Sequence, residues 1–401
     1  MTPPTYSRLR VANLMAQLAY GLVTMTICLP SMQEWGALFG AGPSQVQLTF
    51  SGFAITYGAL QLVYGPLSDR QGRRRLLLVG LALAGTASLA AVFATSIEAL
   101  IAARVVQGAG CAASMVLGRA AVQDLFAGPE RTRVMAYVGM AMGLCPPFAT
   151  VVGGQLHARF GWQANFMLLA VLAGLLMVAA WHGMPAQRTA ASAGTHWLHA
   201  MGASYARLMR EPAFVLNVMV LSLTVGAFYV YLGGAPLVLG SYGIGPATVG
   251  FYIMVPPLSY ILGNYLTSRL VRRIGEGRVR VAGQAVTIAG IVLMIGLALA
   301  GWRDGWSFTL PLVLLGIGHG LLVPPTLAAS IGSIPALAGA AAAVAGVMQQ
   351  IVGAFGGYSV GWVPHDGPVA LGLLMLAFTC CAVAAQASIP RPVALATRTP
   401  A

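Results

Sequence analysis

Asp69 stands among four arginines, Arg70, Arg73, Arg74 and Arg75, in the stretch Gly65-Pro-Leu-Ser-Asp-Arg-Gln-Gly-Arg-Arg-Arg75. Pro66 and Gly72 punctuate this turn, and long apolar runs flank it on both sides. A cluster of charges at that density cannot rest in hydrocarbon, so it marks a membrane face, and its sign makes that face cytoplasmic. Arg104 and His319, groups able to do chemistry, lie inside apolar runs. An arginine at bilayer depth costs at least ~2.5–3.5 kcal/mol, so Arg104 should face the protein interior or water, or else snorkel to the outer interface. His319, between Gly318 and Gly320, can titrate near neutral pH and contact a proton or a substrate, or be held neutral by a carbonyl. The nine acids are Glu34, Asp69, Glu98, Asp124, Glu130, Glu211, Glu276, Asp304 and Asp366, and all fall at the ends of apolar runs or between them. The sequence has no His-rich metal box, no Ser-His-Asp set and no paired carboxylates within a run. Neither an enzyme nor a metal or other cofactor is therefore expected.

The elements that must position these groups follow from composition. With 58% hydrophobic and 8% charged residues in a chain of 401, this is no soluble domain, in which about 25% is charged. A hydrocarbon core of ~30 Å takes about 20 helical residues. Twelve such runs occur, at 11–32, 45–66, 76–96, 99–123, 132–156, 162–184, 213–238, 246–270, 279–300, 307–329, 338–362 and 367–389. Backbone polar groups in lipid must be satisfied within each segment, so the expected class is an all-α membrane bundle of twelve helices. The net charge of +13 comes from arginine alone, concentrated in alternate breaks. That distribution places both termini in the cytoplasm and argues for a lipid bilayer, not nucleic acid, as the partner of the basic charge. Cys28, Cys111, Cys145, Cys380 and Cys381 all lie in apolar runs, as small core residues do. Residues 11–32 read as a first span and not as a cleaved signal.

The longest break, 185–212, reads as a cytoplasmic linker between an N-terminal six-helix bundle (1–184) and a C-terminal one (213–401). Within it, 197–210 suits a short amphipathic helix on the membrane surface. An internal repeat agrees: Gly153-Gly154 recurs as Gly356-Gly357, and Gly72 as Gly275, each 203 residues on. Two parallel six-helix repeats imply a substrate site near the midplane between them. Polar residues offer walls for such a site. Asn13, Gln17, Tyr20 and Thr24 share one helical face of the first span, and Tyr57 and Gln61 one face of the second. Tyr229, Asn264 and Gln349 add polar groups on spans seven, eight and eleven. Each of these residues either lines a cavity or ties helices together.

The spacing Gly65-x2-Ser-Asp69-Arg70-x-Gly72-Arg73-Arg resembles the loop joining helices two and three in the major facilitator superfamily. There, an aspartate and an arginine form a conformational latch. By that resemblance Gly65, Asp69, Arg70, Gly72 and Arg73 belong to the latch, with Asp124 placed to receive Arg73. The run Leu100-x3-Arg104-x2-Gln107-Gly108-x-Gly110 resembles the fourth-helix motif, whose arginine is assigned to proton or substrate handling. Gly139-x3-Gly143-x2-Pro146-Pro147-x5-Gly153-Gly154 is similar to the fifth-helix motif of the antiporters, which packs helices and seals the cavity. Thr150 stands where a second proline is usual. The segments Gln47-Leu-Thr, Val122-Gln-Asp124-Leu-Phe, Phe160-Gly-Trp162-Gln-Ala-Asn-Phe166 and Gly318-His-Gly-Leu-Leu-Val-Pro324 narrow the likeness. They resemble the bicyclomycin/chloramphenicol-resistance branch of twelve-helix drug:proton antiporters. That branch usually carries a carboxylate in the first span, one turn before a Leu-Pro pair; here the stretch is Thr24-Met-Thr26-Ile-Cys28-Leu29-Pro30. The remaining groups for a coupling proton are Glu34, the latch acids and His319.

The resemblance implies a monomeric, multi-pass exporter of small molecules in a bacterial inner membrane, working by alternating access and coupled to H+. A cavity holding Arg104 and His319 but no carboxylate would reject lipophilic cations. Neutral or anionic drug-like cargo is then expected. The alternatives are export of an endogenous anionic metabolite such as a siderophore or metallophore, and an importer or uniporter of the same fold.

Overall fold

The computed structural model describes residues 8–184 and 197–389. Fifteen α-helices follow one another: α1 (Arg8–Thr26), α2 (Met32–Phe39), α3 (Pro43–Gln71), α4 (Arg73–Val92), α5 (Ile97–Leu125), α6 (Gly128–Phe160), α7 (Gln163–Gly183), α8 (Trp197–Met209), α9 (Pro212–Ser241), α10 (Pro246–Ile274), α11 (Glu276–Leu299), α12 (Gly305–Thr309), α13 (Leu312–Gly332), α14 (Ala338–Ser359) and α15 (Pro368–Ala387). There is no strand among the described residues. Twelve segments are long and apolar enough to cross a membrane, α1 counting together with α2 and α12 with α13. The chain is a multi-pass membrane protein.

Turns are set by local chemistry. Ser96 caps α5 by accepting the Ala99 N–H at 3.2 Å, and Asp304 caps α12 by accepting those of Trp306 and Ser307 at 2.8 and 3.0 Å. Gly72 and Gly275, the repeat-related pair, close α3 and α10 at φ 87° and 81°. Only glycine takes that conformation without strain. Prolines 146, 147, 236, 256, 257, 324 and 325 lie inside long helices without ending them, as membrane helices allow.

Two sequence expectations are corrected here. The first span, expected over 11–32, is present as Leu9–Phe39 but is not one continuous helix. It stops at Thr26, passes through a 3-10 turn at Leu29–Ser31 and resumes as α2; Pro30 lacks the N–H that a continuing helix would need. The amphipathic helix is present as Trp197–Met209, but it docks on protein as well as facing outward. Leu208 is fully buried in a cluster with Phe214 of α9 and Ala341 of α14. Residues 185–196 of the expected linker lie outside the described residues.

Helices α1–α7 pack mainly among themselves, as do α9–α15, and the two groups meet along α3 with α14 and α6 with α10. That seam is closed at one end of the bundle, the end opposite the arginine-rich turns. Side chains of the first group reach across it to main-chain carbonyls of the second: Gln33 to Pro236 and Ile244, Ser44 to Gly361, Gln47 to Gly233, Thr150 to Gly250 and Gln155 to Ala247. Glycines let the backbones come this close. A Cβ at Gly154 would strike the Pro246 carbonyl, and one at Gly250 the Thr150 carbonyl.

Candidate functional site

Between the two groups, on the arginine-rich side of that seam, lies a cavity of about 270 Å³. Its walls come from α1, α6, α9, α10, α13 and α14, and among the described residues no carboxylate or guanidinium reaches its lining. Met25 and Thr26 mark the α1 wall and Met142, Gly143, Pro146 and Pro147 the α6 wall. The Thr26 hydroxyl holds those two walls together, donating to Leu22 O at 2.9 Å and to Pro146 O at 3.3 Å. From the other group come Phe228, Tyr229, Tyr260, His319 and Gln349. The Tyr229 hydroxyl donates to Gln350 Oε1 at 2.6 Å and lies 3.6 Å from Met25 Sδ, bridging the two groups above the cavity. Gln349 Nε2 donates to Ala345 O on its own helix at 3.1 Å. His319 is 5% exposed, and its ring meets Phe228 edge-on at 6.2 Å between centroids. Gly320 beside it lets α13 lie against the α10 backbone, where a Cβ would meet Gly263 and the Tyr260 carbonyl. The site is an apolar chamber with one imidazole, two phenols, one amide and a few threonine hydroxyls on its walls.

The structure brings Tyr229, Gln349 and His319 to this cavity, together with Gly143, Pro146 and Pro147. It puts the other expected wall residues elsewhere. Gln17 donates to Leu176 O at 2.9 Å and to Asn13 Oδ1 at 3.2 Å. The Tyr20 hydroxyl donates to Leu169 O at 3.1 Å. The polar face of α1 thus ties it to α7, away from the cavity. Thr24 and Tyr57 are buried, Tyr57 being stacked on Phe53, and Gln61 and Asn264 are half-buried away from the lining. Gly139 faces open space, whereas Gly153 abuts the Ile27 carbonyl.

Arg104 is 0% exposed and does not touch the cavity. Its Nη1 donates to Thr24 O at 2.9 Å and to Gln107 Oε1, its Nε to Thr49 O at 3.2 Å, and its Nη2 to Met25 O at 3.5 Å. The guanidinium lies 4.4 Å over the Phe53 ring. Because α1 stops at Thr26, the Thr24 and Met25 carbonyls belong to its last turn and have no partner further along the helix. Arg104 is the cap of that broken helix end, where a cation also suits the helix dipole. Gln107 passes the tie on to α4, donating to Ser88 Oγ at 2.7 Å.

Of the latch residues, Arg73 at the start of α4 pairs with Asp124 at the end of α5, Nη1 to Oδ2 at 2.8 Å. Gly65 and Gly72 lie at the end of α3, and the side chains of Asp69 and Arg70 fall outside the described residues. Glu34 is at the opposite end of the bundle, half exposed, with Oε2 2.9 Å from His157 Nε2. Sequence reasoning missed Met25, Met142, Phe228 and Tyr260 on the cavity wall, and it missed His157. Apolar residues in apolar helices carry no local sign of which face meets a cavity. Among the described residues no cluster of metal-ligating side chains occurs.

The model of the Major Facilitator Superfamily matches residues 11–357. The chain belongs to that superfamily. Within it the chain is 27% identical to multidrug resistance protein D of Escherichia coli, over 92% of this chain and 93% of that one. It is 28% identical to a chloramphenicol resistance protein of Pseudomonas aeruginosa (73% and 70% covered). With a bicyclomycin resistance protein homolog of Haemophilus influenzae the identity is 24% (84% and 85%). A solved D-xylose-proton symporter superposes with a TM-score of 0.75 at 15% identity over 96% of this chain and 97% of its own. A bacterial homolog of the lysosomal transporter Spinster gives 0.75 at 14% identity over 95% and 96%. As a member of the superfamily, the chain is a membrane transporter of small molecules and not an enzyme.

Proposed function

We propose that this transporter exports neutral, largely apolar small molecules from a bacterial cytoplasm by alternating access, in exchange for protons. The observation that carries the reading is the cavity: a chamber between the two groups of helices whose walls bear no formal charge except through His319. A neutral amphiphile leaves no charge unpaired there, whereas an ion would have to shed its hydration without a counter-charge. The names of the relatives, which concern multidrug, chloramphenicol and bicyclomycin resistance, support drug-like cargo. The arginine bias supports an inner-membrane orientation with both termini in the cytoplasm. In that orientation the closed seam faces the exterior and the cavity is reached from the cytoplasm. Residues 1–184 and 213–401 are the two units that rock, and the Arg73–Asp124 pair is part of the inner latch.

Anionic cargo, admitted by the sequence alone, loses part of its support, because Arg104, one of the two cations behind that expectation, is not a wall residue. His319 is the imidazole that can exchange a proton with the cargo site. The test is substrate-induced proton flux in proteoliposomes against matched neutral, anionic and cationic compounds, with His319→Ala alongside. Flux with the neutral compounds that disappears in His319→Ala is expected. Flux driven equally well by cations would overturn the reading.

A further inference from the structure

At the closed end of the seam, four side chains of the first group form a connected chain. Ser31 follows the break in α1, Glu34 opens α2, His157 ends α6 and Asn165 lies in the first turn of α7. The His157 ring is 7% exposed, with Nδ1 2.9 Å from Ser31 Oγ and Nε2 2.9 Å from Glu34 Oε2. Asn165 Nδ2 donates to the same Ser31 oxygen at 3.1 Å, and its Oδ1 is buried without a partner. Glu34 itself is 55% exposed. It lines a groove of about 430 Å³ whose far wall is the 237–246 segment of the second group.

This chain of atoms accommodates imidazole in both charge states. With His157 neutral, Nε2–H donates to Glu34 and Nδ1 accepts from the Ser31 hydroxyl, which in turn accepts from Asn165. With His157 charged, Nδ1–H donates to Ser31. The hydroxyl proton must then find another acceptor, and Asn165 Oδ1, unpartnered and one amide flip away, supplies it. Protonation reverses the direction of the hydrogen bonds, and one Asn165 amide atom is left without a partner in either state.

We propose that the His157–Glu34 pair is a proton-binding site on the outer gate, and that a proton there favours the closed gate. The reason is where Glu34 points. Gln33, its neighbour, already donates to the Pro236 and Ile244 carbonyls, and the 237–246 segment carries no basic side chain. A carboxylate facing that wall meets carbonyl dipoles and no cation, which opposes closure. An imidazolium 2.9 Å away neutralises the carboxylate where it stands. The other titratable groups at this end are Arg159, two residues beyond His157 on α6, and Glu98, which accepts from Gln45 at 3.4 Å. On the opposing rim are Tyr242, Arg303, Asp304, His365 and Asp366. Asp304 is engaged in its helix cap, and His365 faces the Val360 carbonyl at 2.9 Å. The site rests on the proposed orientation and gives the exchanged proton a point of action at the outer end, apart from the cargo cavity.

The test reads the gate directly and needs no cargo. Spin labels at Ala37→Cys on α2 and Thr248→Cys on α10, both exposed, report the distance across the seam in the full chain, with Cys145, Cys380 and Cys381 replaced by alanine. In the parent protein the closed-to-open ratio should rise as pH falls. The rise should lie between about two- and tenfold per unit, tenfold being the ceiling for one proton. His157→Gln and Glu34→Gln should each flatten this dependence, and His365→Gln should leave it intact. A parent ratio independent of pH, or a dependence that survives in both gate variants or follows His365, overturns the proposal. Should His157→Gln fail to fold, Glu34→Gln, whose side chain is half exposed, decides alone. Proton flux with neutral cargo and this distance measurement can fail separately, so loss of the cargo reading does not mask loss of the gate site.

Discussion

Replacing Arg104 with methionine keeps an unbranched, flexible stem and removes every donor. The side chain now serves three acceptors with no strong substitute: the Thr24 carbonyl, the Met25 carbonyl, which otherwise meets only the Cys28 thiol at 3.9 Å, and Gln107 Oε1. Each buried acceptor left unpaired costs about 1–3 kcal/mol, so the three together come to roughly 6 kcal/mol at the middle of that range. Against this, a guanidinium is no longer held at bilayer depth, which returns about 3 kcal/mol. The expected net loss is about 3 kcal/mol, large for one substitution. Arg104→Lys keeps the charge and up to three donors without the planar fork, and should lose about half as much. Thermal unfolding of the detergent-solubilised protein, followed by tryptophan fluorescence, measures this. The melting temperature should fall from wild type to Arg104→Lys to Arg104→Met. An Arg104→Met protein that melts with the wild type but no longer transports would refute the capping argument. It would put the guanidinium back among the groups that act on cargo or proton.

Three further outcomes follow from the same geometry. Gly153→Ala and Gly154→Ala, neighbours in sequence, should fail differently. Gly153 abuts the Ile27 carbonyl within its own group and should lose folded yield, whereas Gly154 abuts the Pro246 carbonyl across the seam and should fold but populate the closed gate less, read by size-exclusion yield and by the label distance. Gln349→Glu puts an uncompensated carboxylate on the cavity wall and should raise transport of a lipophilic cation several-fold over wild type in dye-uptake assays on inverted vesicles. Unchanged selectivity would count against the cavity as the cargo site. At the Asp304 cap, hydrogen bonds from the backbone N–H groups of Ser307 and Trp306 hold the carboxyl below the usual carboxylate range. The stabilisation is therefore present above the unfolded-state value near ~3.9 and is lost as pH falls through the folded one. Asp304→Asn should melt slightly below wild type at pH 7 and level with it in strong acid.

What could be read from residues alone was what the bilayer imposes locally. Hydrocarbon thickness sets the length of each apolar run, and the cost of moving arginine across it sets which breaks carry charge, so the twelve spans were visible. The paired glycines at 72 and 275 were visible for a similar reason, since a turn at positive φ restricts residue type on the spot. Facing was not visible. Gln17 and Tyr20 sit at helical spacing suited to a cavity wall, but α1 turns that face toward α7, and nothing within nineteen residues of helix says so. Arg104 was correctly expected to avoid lipid. Its partners, however, are carbonyls exposed by a helix break some eighty positions earlier, and that break was hidden because Leu29-Pro30 lies inside an unbroken apolar run. His157 reads as an ordinary residue at a helix end until Ser31 and Glu34 arrive beside it from the far side of three intervening helices.

The hydrogen bonds across the outer seam run from side chains of the first group to peptide oxygens of the second. Every residue type offers the same peptide oxygen, so the receiving surface carries no message in its side chains. Amino-acid replacements along 233–250 that keep the main-chain path should be silent for gating, apart from those at the close-packed Gly233 and Gly250, while a single amide or hydroxyl lost at 33, 44, 47, 150 or 155 should be felt. Such a lock lets one half of the molecule drift toward new cargo while the other keeps the door.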